Sequence, residues 1–328
     1  MKYGIMLPSR GPLARPDSLS AIAQRAEELG YHVMMFPDHI VLPRRTDSQY
    51  PYSESGVFPG TDNNETMEQL TTLAFLAGQT KTIRLVTSVM IVPHRSPVVT
   101  AKVLSTIDVL SQGRMTVGVG VGWLKEEFEA LQTPPFEERG AITDEYIRAF
   151  KELWTQDEPS FQGKYCQFSN ISFLPKPVQK PHPPIWVGGE SRRAIRRAAE
   201  LGDGWQPIAN NSSFPLSTPE QLAEGIKRLG IYVERAGRPP GSVEIVCRMP
   251  GYSLKPNDNR PSTDRSVFAD RSVFNGTADE IASDIRRYAE MGVGHLVASF
   301  VPVAHSANST EEMLSDMEEF ANRVWPRV

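Results

Sequence analysis

The sequence predicts an α/β fold, a (β/α)8 TIM barrel with insertion segments, and three observations carry that prediction. Eight strand candidates, most of them short runs rich in Ile, Val, Leu, Met and Thr, recur along 328 residues, with helix-periodic stretches between them. The runs are too continuously apolar for half-exposed strands, so they read as parallel strands covered on both faces. Polar residues and glycines gather where the runs end, the end at which barrel enzymes carry their chemistry. Alternation of strand and helix argues for a closed parallel sheet, with an open doubly wound sheet as the weaker alternative. The length suits one barrel, and residues 1–328 are read as a single domain with insertions near 42–66, 155–183 and 250–275.

Taken in order, Tyr3 to Leu7 is the first strand, and Asp17 is the expected cap of a helix that Gly30 ends. His32 to Phe36 is the second strand and runs directly into Pro37-Asp38-His39. The polar segment from Leu42 to Thr66 is longer than a connection needs and reads as a lid or substrate loop. A helix over Met67 to Gln79 leads to Ile83–Val92, read as one buried strand. Pro97 opens the next helix, where its missing N–H costs nothing. The following strand ends in Gly118, Gly120 and Gly122, a pattern that marks close approach of a backbone or ligand.

Lys125 to Leu131 and Ala141 to Trp154 read as helices, and Phe161 to Leu174 as a hairpin around Gly163. The proline-rich stretch 175–184 is an extended connector. Ile185 to Val187 is a strand ending at Gly188-Gly189, and Ser191 caps the helix to Leu201. Gly204-Trp205 lies on a short strand, Pro219 to Ala236 is a helix, and Val243 to Cys247 is a strand. Tyr252 to Asn275 is a second long loop. A helix over Asp279–Met291, a strand over His295–Phe300 and a helix from Thr310, capped by Thr310 or Ser309, complete the chain.

Lys and Arg number 35 against 39 Asp and Glu, a net charge of -4, which argues against a nucleic-acid or polybasic membrane binder. Small-molecule partners are expected. No signal peptide and no uncharged run of spanning length is read, so a cytoplasmic protein is expected. Two cysteines, Cys166 and Cys247, are too few for a disulfide framework or a zinc knuckle. No two of the six histidines are spaced by one residue, which disfavours a binuclear metal site. Gly-x-Ser-x-Gly is missing, and Gly118-Val-Gly-Val-Gly122 lacks the dinucleotide spacing.

His39 has the strongest claim to chemistry, at a strand end beside Asp38, which could orient it or tune its pKa; the alternative is an exposed turn. Gly188-Gly189-Glu190-Ser191 opens a helix and offers free N–H groups to an anion, although an ordinary turn and cap explains it as well. Arg192, Arg193, Arg196 and Arg197 form a row best read as a solvated face, from which one or two could meet a phosphate. Trp123 and Trp205 could flank a planar ligand or simply pack at the barrel mouth.

Asp38-His39, Ser88-Val89, the glycine-rich run to Trp123, the 175–184 connector, Val187-Gly188-Gly189 and Leu201-Gly-Asp-Gly-Trp205 together resemble the bacterial luciferase-like superfamily. The order and spacing match up to Gly292. Within it the chain is most similar to the branch using the deazaflavin coenzyme F420. That resemblance implies a non-proline cis bond at Ser88-Val89 backing the deazaflavin ring. It also implies cofactor contacts from Asp38, Val187, Trp205 and the Gly188-Gly189-Glu190 turn, the turn near a phosphate. His39 would handle the proton that accompanies hydride transfer, and a homodimer is the common family state.

There are departures. Relatives that oxidise glucose 6-phosphate have Trp and an acidic residue where this chain has Pro43 and Trp123, so sugar phosphate is disfavoured. Trp123 and the loop from Pro43 to Asn64 point to a more apolar or aromatic substrate. Three functions follow: an F420-dependent oxidoreductase, a monooxygenase using reduced FMN and oxygen, and a flavin-binding member without catalysis.

Overall fold

The computed structural model describes residues 1–58, 65–249, 251–254, 267–268, 271–300 and 309–328. Eight parallel strands form the barrel: β1 (Lys2–Met6), β2 (Val33–Phe36), β3 (Arg84–Thr87), β4 (Met115–Gly120), β5 (Ile185–Gly188), β6 (Gly204–Gln206), β7 (Glu244–Arg248) and β8 (His295–Ala298). Each pairs with its sequence neighbours, and pairing of β1 with β8, from Lys2↔His295 to Ile5↔Ala298, closes the ring. The closed form of the sequence prediction is therefore the observed one. Nine α-helices lie among the described residues: α1 (Pro16–Glu28), α2 (Gln69–Gln79), α3 (Pro97–Leu110), α4 (Lys125–Ala130), α5 (Arg139–Thr155), α6 (Arg192–Leu201), α7 (Pro219–Arg235), α8 (Ala278–Glu290) and α9 (Thr310–Glu319).

Two apolar layers explain why the strand sequences are continuously hydrophobic. Met6, Val33, Met35, Val86, Trp186, Val246 and Val297 fill the barrel interior. Residues of opposite pleat, such as Ile5, Met34, Leu85, Val117 and Leu296, pack outward against the helices.

Helix boundaries follow local chemistry. α1 starts at Pro16 with Arg15 before it and no side-chain cap. Asp17, expected to cap, instead sits within the first turn, because proline presets the first helical position. Gly30, at φ 86°, ends that helix as expected. Ser191 caps α6 by accepting from the Ala194 N–H. Ser309, not Thr310, caps α9, in a reciprocal capping box with Glu312.

The expected strand over 83–92 is broken. Val86 pairs with Thr116, and pairing with β4 resumes at Met90↔Val119. The β3 side therefore carries one more residue than β4, which is a bulge, and the Ser88–Val89 peptide bond within it is cis. Phe161–Gln162 and Gln167–Phe168 pair as the expected hairpin. The second long loop, 252–275, lies largely outside the described residues, as do 59–64 of the first. Among the described residues no helix is long and apolar enough to cross a membrane.

Candidate active site

The C-terminal ends of the strands converge on one mouth, and the bulge forms part of its floor. Val89 nests between Gly120 and Gly188, where a Cβ on Gly188 would stand 2.8 Å from Val89 Cγ1 and one on Gly120 would collide with Val89 Cγ2. A Cβ on Gly118 would collide with the Thr87 carbonyl. The glycines at these strand ends thus make room for the bulge itself. The Ser88 Oγ accepts from Gln206 Nε2 at 2.5 Å, tying β3 to β6 across the barrel top. Ser88 and Val89 remain half-buried.

His39 follows β2 and is held by a residue that local sequence does not point to. Its Nδ1 lies 2.8 Å from Glu127 Oε2 on α4. The other oxygen, Oε1, accepts from the N–H groups of Ile40 at 2.8 Å and Val41 at 3.2 Å. Burial by itself would push the Glu127 carboxyl up, but these hydrogen bonds outweigh it and bring the group below its ordinary value. An ionised Glu127 makes Nδ1 the donor and leaves Nε2 as the ring nitrogen available to a ligand. The sequence places this glutamate within Lys125-Glu-Glu-Phe-Glu-Ala, part of the short helix read over Lys125 to Leu131, where nothing local singles it out.

Asp38 does not orient His39, contrary to the expectation from their adjacency. Its Oδ2 accepts from Arg95 Nη1 at 2.7 Å and from the Ile91 N–H at 2.8 Å, and its Oδ1 accepts from Arg95 Nη2 at 2.8 Å. Glu68 accepts from the same Nη2 at 2.8 Å. Burial works against the Arg95 charge, and the two carboxylates more than reverse it, raising the guanidinium pKa. Asp38 is thereby a brace for the chain just beyond the bulge.

On the opposite wall, Val187 is a core residue and Trp205 is fully buried, its Nε1 donating to the Gly189 carbonyl at 2.9 Å. Trp205 packs; it does not flank open space. Glu190 is likewise buried, accepting from the Ile208 N–H at 2.7 Å, Asn211 Nδ2 at 2.8 Å and the Tyr52 hydroxyl at 3.4 Å. Burial pushes its carboxyl up to about 7. Of the arginine row, Arg197 is buried against Asp144 and the Gly140 carbonyl, which corrects its reading as solvated. Arg192, Arg193 and Arg196 are exposed.

The described part of the first long loop crosses the mouth as a strap. Glu126 accepts from the N–H groups of Asp47 at 2.5 Å and Ser48 at 2.9 Å. At the far side, Asn210 donates to the Tyr52 carbonyl at 2.8 Å and the Ser212 N–H to that of Pro51 at 2.9 Å. Between these anchors Tyr50, Phe58 and Trp123 form an aromatic cluster with His39. The Phe58 ring centroid lies 5.0 Å from His39 and 5.5 Å from Trp123, and Tyr50 lies 5.1 Å from Trp123. Arg10, beyond β1, places its guanidinium carbon 4.6 Å above the Phe58 ring. A small pocket opens between His39, Ile91, His94, Trp123 and Leu124. Both cysteines are buried free thiols.

Residues 1–260 match the model of the family described as luciferase-like monooxygenase. An uncharacterized protein of Mycobacterium tuberculosis is 29% identical over 293 residues, 88% of this chain and 96% of that protein. The FMNH(2)-dependent dimethylsulfone monooxygenase of Pseudomonas putida is 36% identical over 173 residues, 52% of this chain and 47% of that one. Monooxygenase RslO1 from Streptomyces bottropensis superposes with a TM-score of 0.77 at 25% identity, over 99% of both chains. An F420-dependent secondary alcohol dehydrogenase in complex with an F420–acetone adduct gives 0.74 at 19% identity, over 100% of this chain and 99% of that one, a likeness of fold.

Proposed function

Because the chain belongs to the luciferase-like monooxygenase family, we propose that it is an oxidoreductase moving a hydride between the deazaflavin coenzyme F420 and a small organic substrate. The observation that carries this reading is the His39–Glu127 pair at the strand ends, beside the floor formed by the Ser88–Val89 bulge. The floor suits a flat ring system. Val89 offers a half-buried apolar surface, and the Ser88 hydroxyl and the Gly188-Gly189 backbone give polar edges around it. Ser88, Val89, Gly188 and Gly189 are the residues that would hold such a ring. When bound, the deazaflavin supplies the hydride donor or acceptor and does not activate oxygen.

The protein's own groups then manage position and protons. His39 Nε2 gives or takes the proton at the reacting substrate atom, and Glu127 holds the imidazole in one tautomer and orientation. Asp38 and Arg95 fix the backbone after the bulge. The strap and the ring cluster keep water from the reacting atoms.

A second reading, a monooxygenase using reduced FMN and oxygen, draws support from the dimethylsulfone monooxygenase likeness. Titration with oxidised and reduced F420 and FMN, followed by fluorescence quenching, separates the two. Tight binding of the deazaflavin with weak binding of FMN supports the first reading. Preference for reduced FMN, with oxygen consumed when substrate is added, transfers the protein to the second. A third reading, flavin binding without turnover, requires that His39→Ala change no rate.

A further inference from the structure

We infer that the substrate carries a carboxylate on an aromatic or conjugated body, and that Arg10 is the residue that seats it. The inference rests on the reading of the mouth as an oxidoreductase site and deepens it by naming a substrate class.

Arg10 is part-buried, and burial lowers its guanidinium pKa, with only the nearby Tyr50 working the other way. No hydrogen-bond acceptor or carboxylate meets it among the described residues. Other arginines sunk into the fold are provided for. Arg84 reaches Thr116 and Gln179, and Arg95 reaches Asp38 and Glu68. Arg114 binds the Ala77 and Ile83 carbonyls, and Arg238 those of Ala199 and Gly202. Only Arg248, at the end of β7, shares the condition of Arg10 among part-buried described arginines. A guanidinium has five donors in a fork that matches a carboxylate, so a half-desolvated one without an acceptor is a site prepared for an anion.

The surroundings define the rest of the ligand. Phe58 is the ring common to both ends of the site, with Arg10 at 4.6 Å and His39 at 5.0 Å. The guanidinium and the imidazole therefore lie within about 10 Å of each other, a span that a single-ring acid can bridge, with Tyr50 and Trp123 packed on the same Phe58 ring. That is the size and character of an aromatic or conjugated acid. The turn that the resemblance assigns to a cofactor phosphate, Gly188-Gly189-Glu190, follows β5, whereas Arg10 follows β1 on the opposite side of the eight-strand ring, so the anion is assigned to the substrate.

The test uses cofactor-free protein and its tryptophan fluorescence, with cinnamate, cinnamyl alcohol and inorganic phosphate as probes. Cinnamate is expected to quench saturably, with the alcohol binding roughly ten- to a hundredfold more weakly, as loss of a charge-assisted pair implies. Arg10→Met should weaken cinnamate by a similar factor and leave the alcohol unchanged, and Arg10→Lys should fall between. The inference is overturned if cinnamate does not bind, or if acid and alcohol bind alike. It is equally overturned if Arg10→Met, folded by circular dichroism, binds cinnamate like the parent, or if phosphate competes with cinnamate, which would assign the anion to a cofactor. F420 and FMN titrations run in parallel keep the two readings apart. Failure of both cofactors to bind sinks the oxidoreductase reading, whatever Arg10 does.

Discussion

His39 draws its chemical definition from a carboxylate 88 residues further along the chain. Two outcomes follow at this scale. His39→Ala should lower turnover by roughly 10²–10⁴-fold while leaving cofactor affinity near that of the parent, as removal of a positioned acid–base group does; rapid-mixing kinetics beside a binding titration checks both halves. Glu127→Gln should lower turnover by roughly a hundredfold and shift the pH–rate profile, because an amide no longer compels Nδ1 to be the donor. A parent-like pH profile in that variant would remove Glu127 from any role in positioning. The place of His39 at the barrel mouth was legible because its segment runs straight out of an apolar strand. Glu127 was not, since four charges within six residues look like a solvated helix and nothing local reveals that one of them turns inward. Asp38 misled for the converse reason: adjacency in sequence put it beside His39, yet its oxygens point to Arg95 and Ile91.

Among the elements, the bulge and its glycines act as one unit. Gly118→Ala would press a methyl against the Thr87 carbonyl, a backbone atom that cannot step aside. It should cost about 2–3 kcal/mol, more than Gly188→Ala, where the obstacle is a valine methyl 2.8 Å away that can rotate. Urea unfolding of the two variants ranks them. Burial holds the Glu190 carboxyl at about 7, so the folded chain keeps a proton that the unfolded chain, near the ordinary 4.5, has lost. The contribution of this group is therefore fullest below about 4.5 and is lost as pH rises to about 7, on the order of 3 kcal/mol across that window. Thermal unfolding of Glu190→Gln against the parent should show a flatter decline between those values. The strands themselves were easy to read, because residues buried on both faces leave no alternation to confuse. The break in 83–92 was hidden from composition for the same reason: Val89 and Met90 are as apolar inside a bulge as within a strand.

At the scale of the whole molecule, ring closure follows from strand order, and the outer surface still carries exposed apolar side chains. Phe75 on α2 is 42% exposed, and Val99 and Leu110 on the neighbouring α3 are each 62% exposed. The homodimer expected from the resemblance should use this face, since exposed apolar side chains gathered on two packed helices mark an association surface. Phe75→Asp combined with Leu110→Asp should then yield a monomer by light scattering with its far-ultraviolet circular dichroism unchanged.

Glu126 and Glu127 are consecutive residues of α4, one fastening the strap and the other fastening His39. Attachment of the loop and orientation of the imidazole thus share one short helix, so a shift of α4 would be felt at both the cover and the ring beneath it.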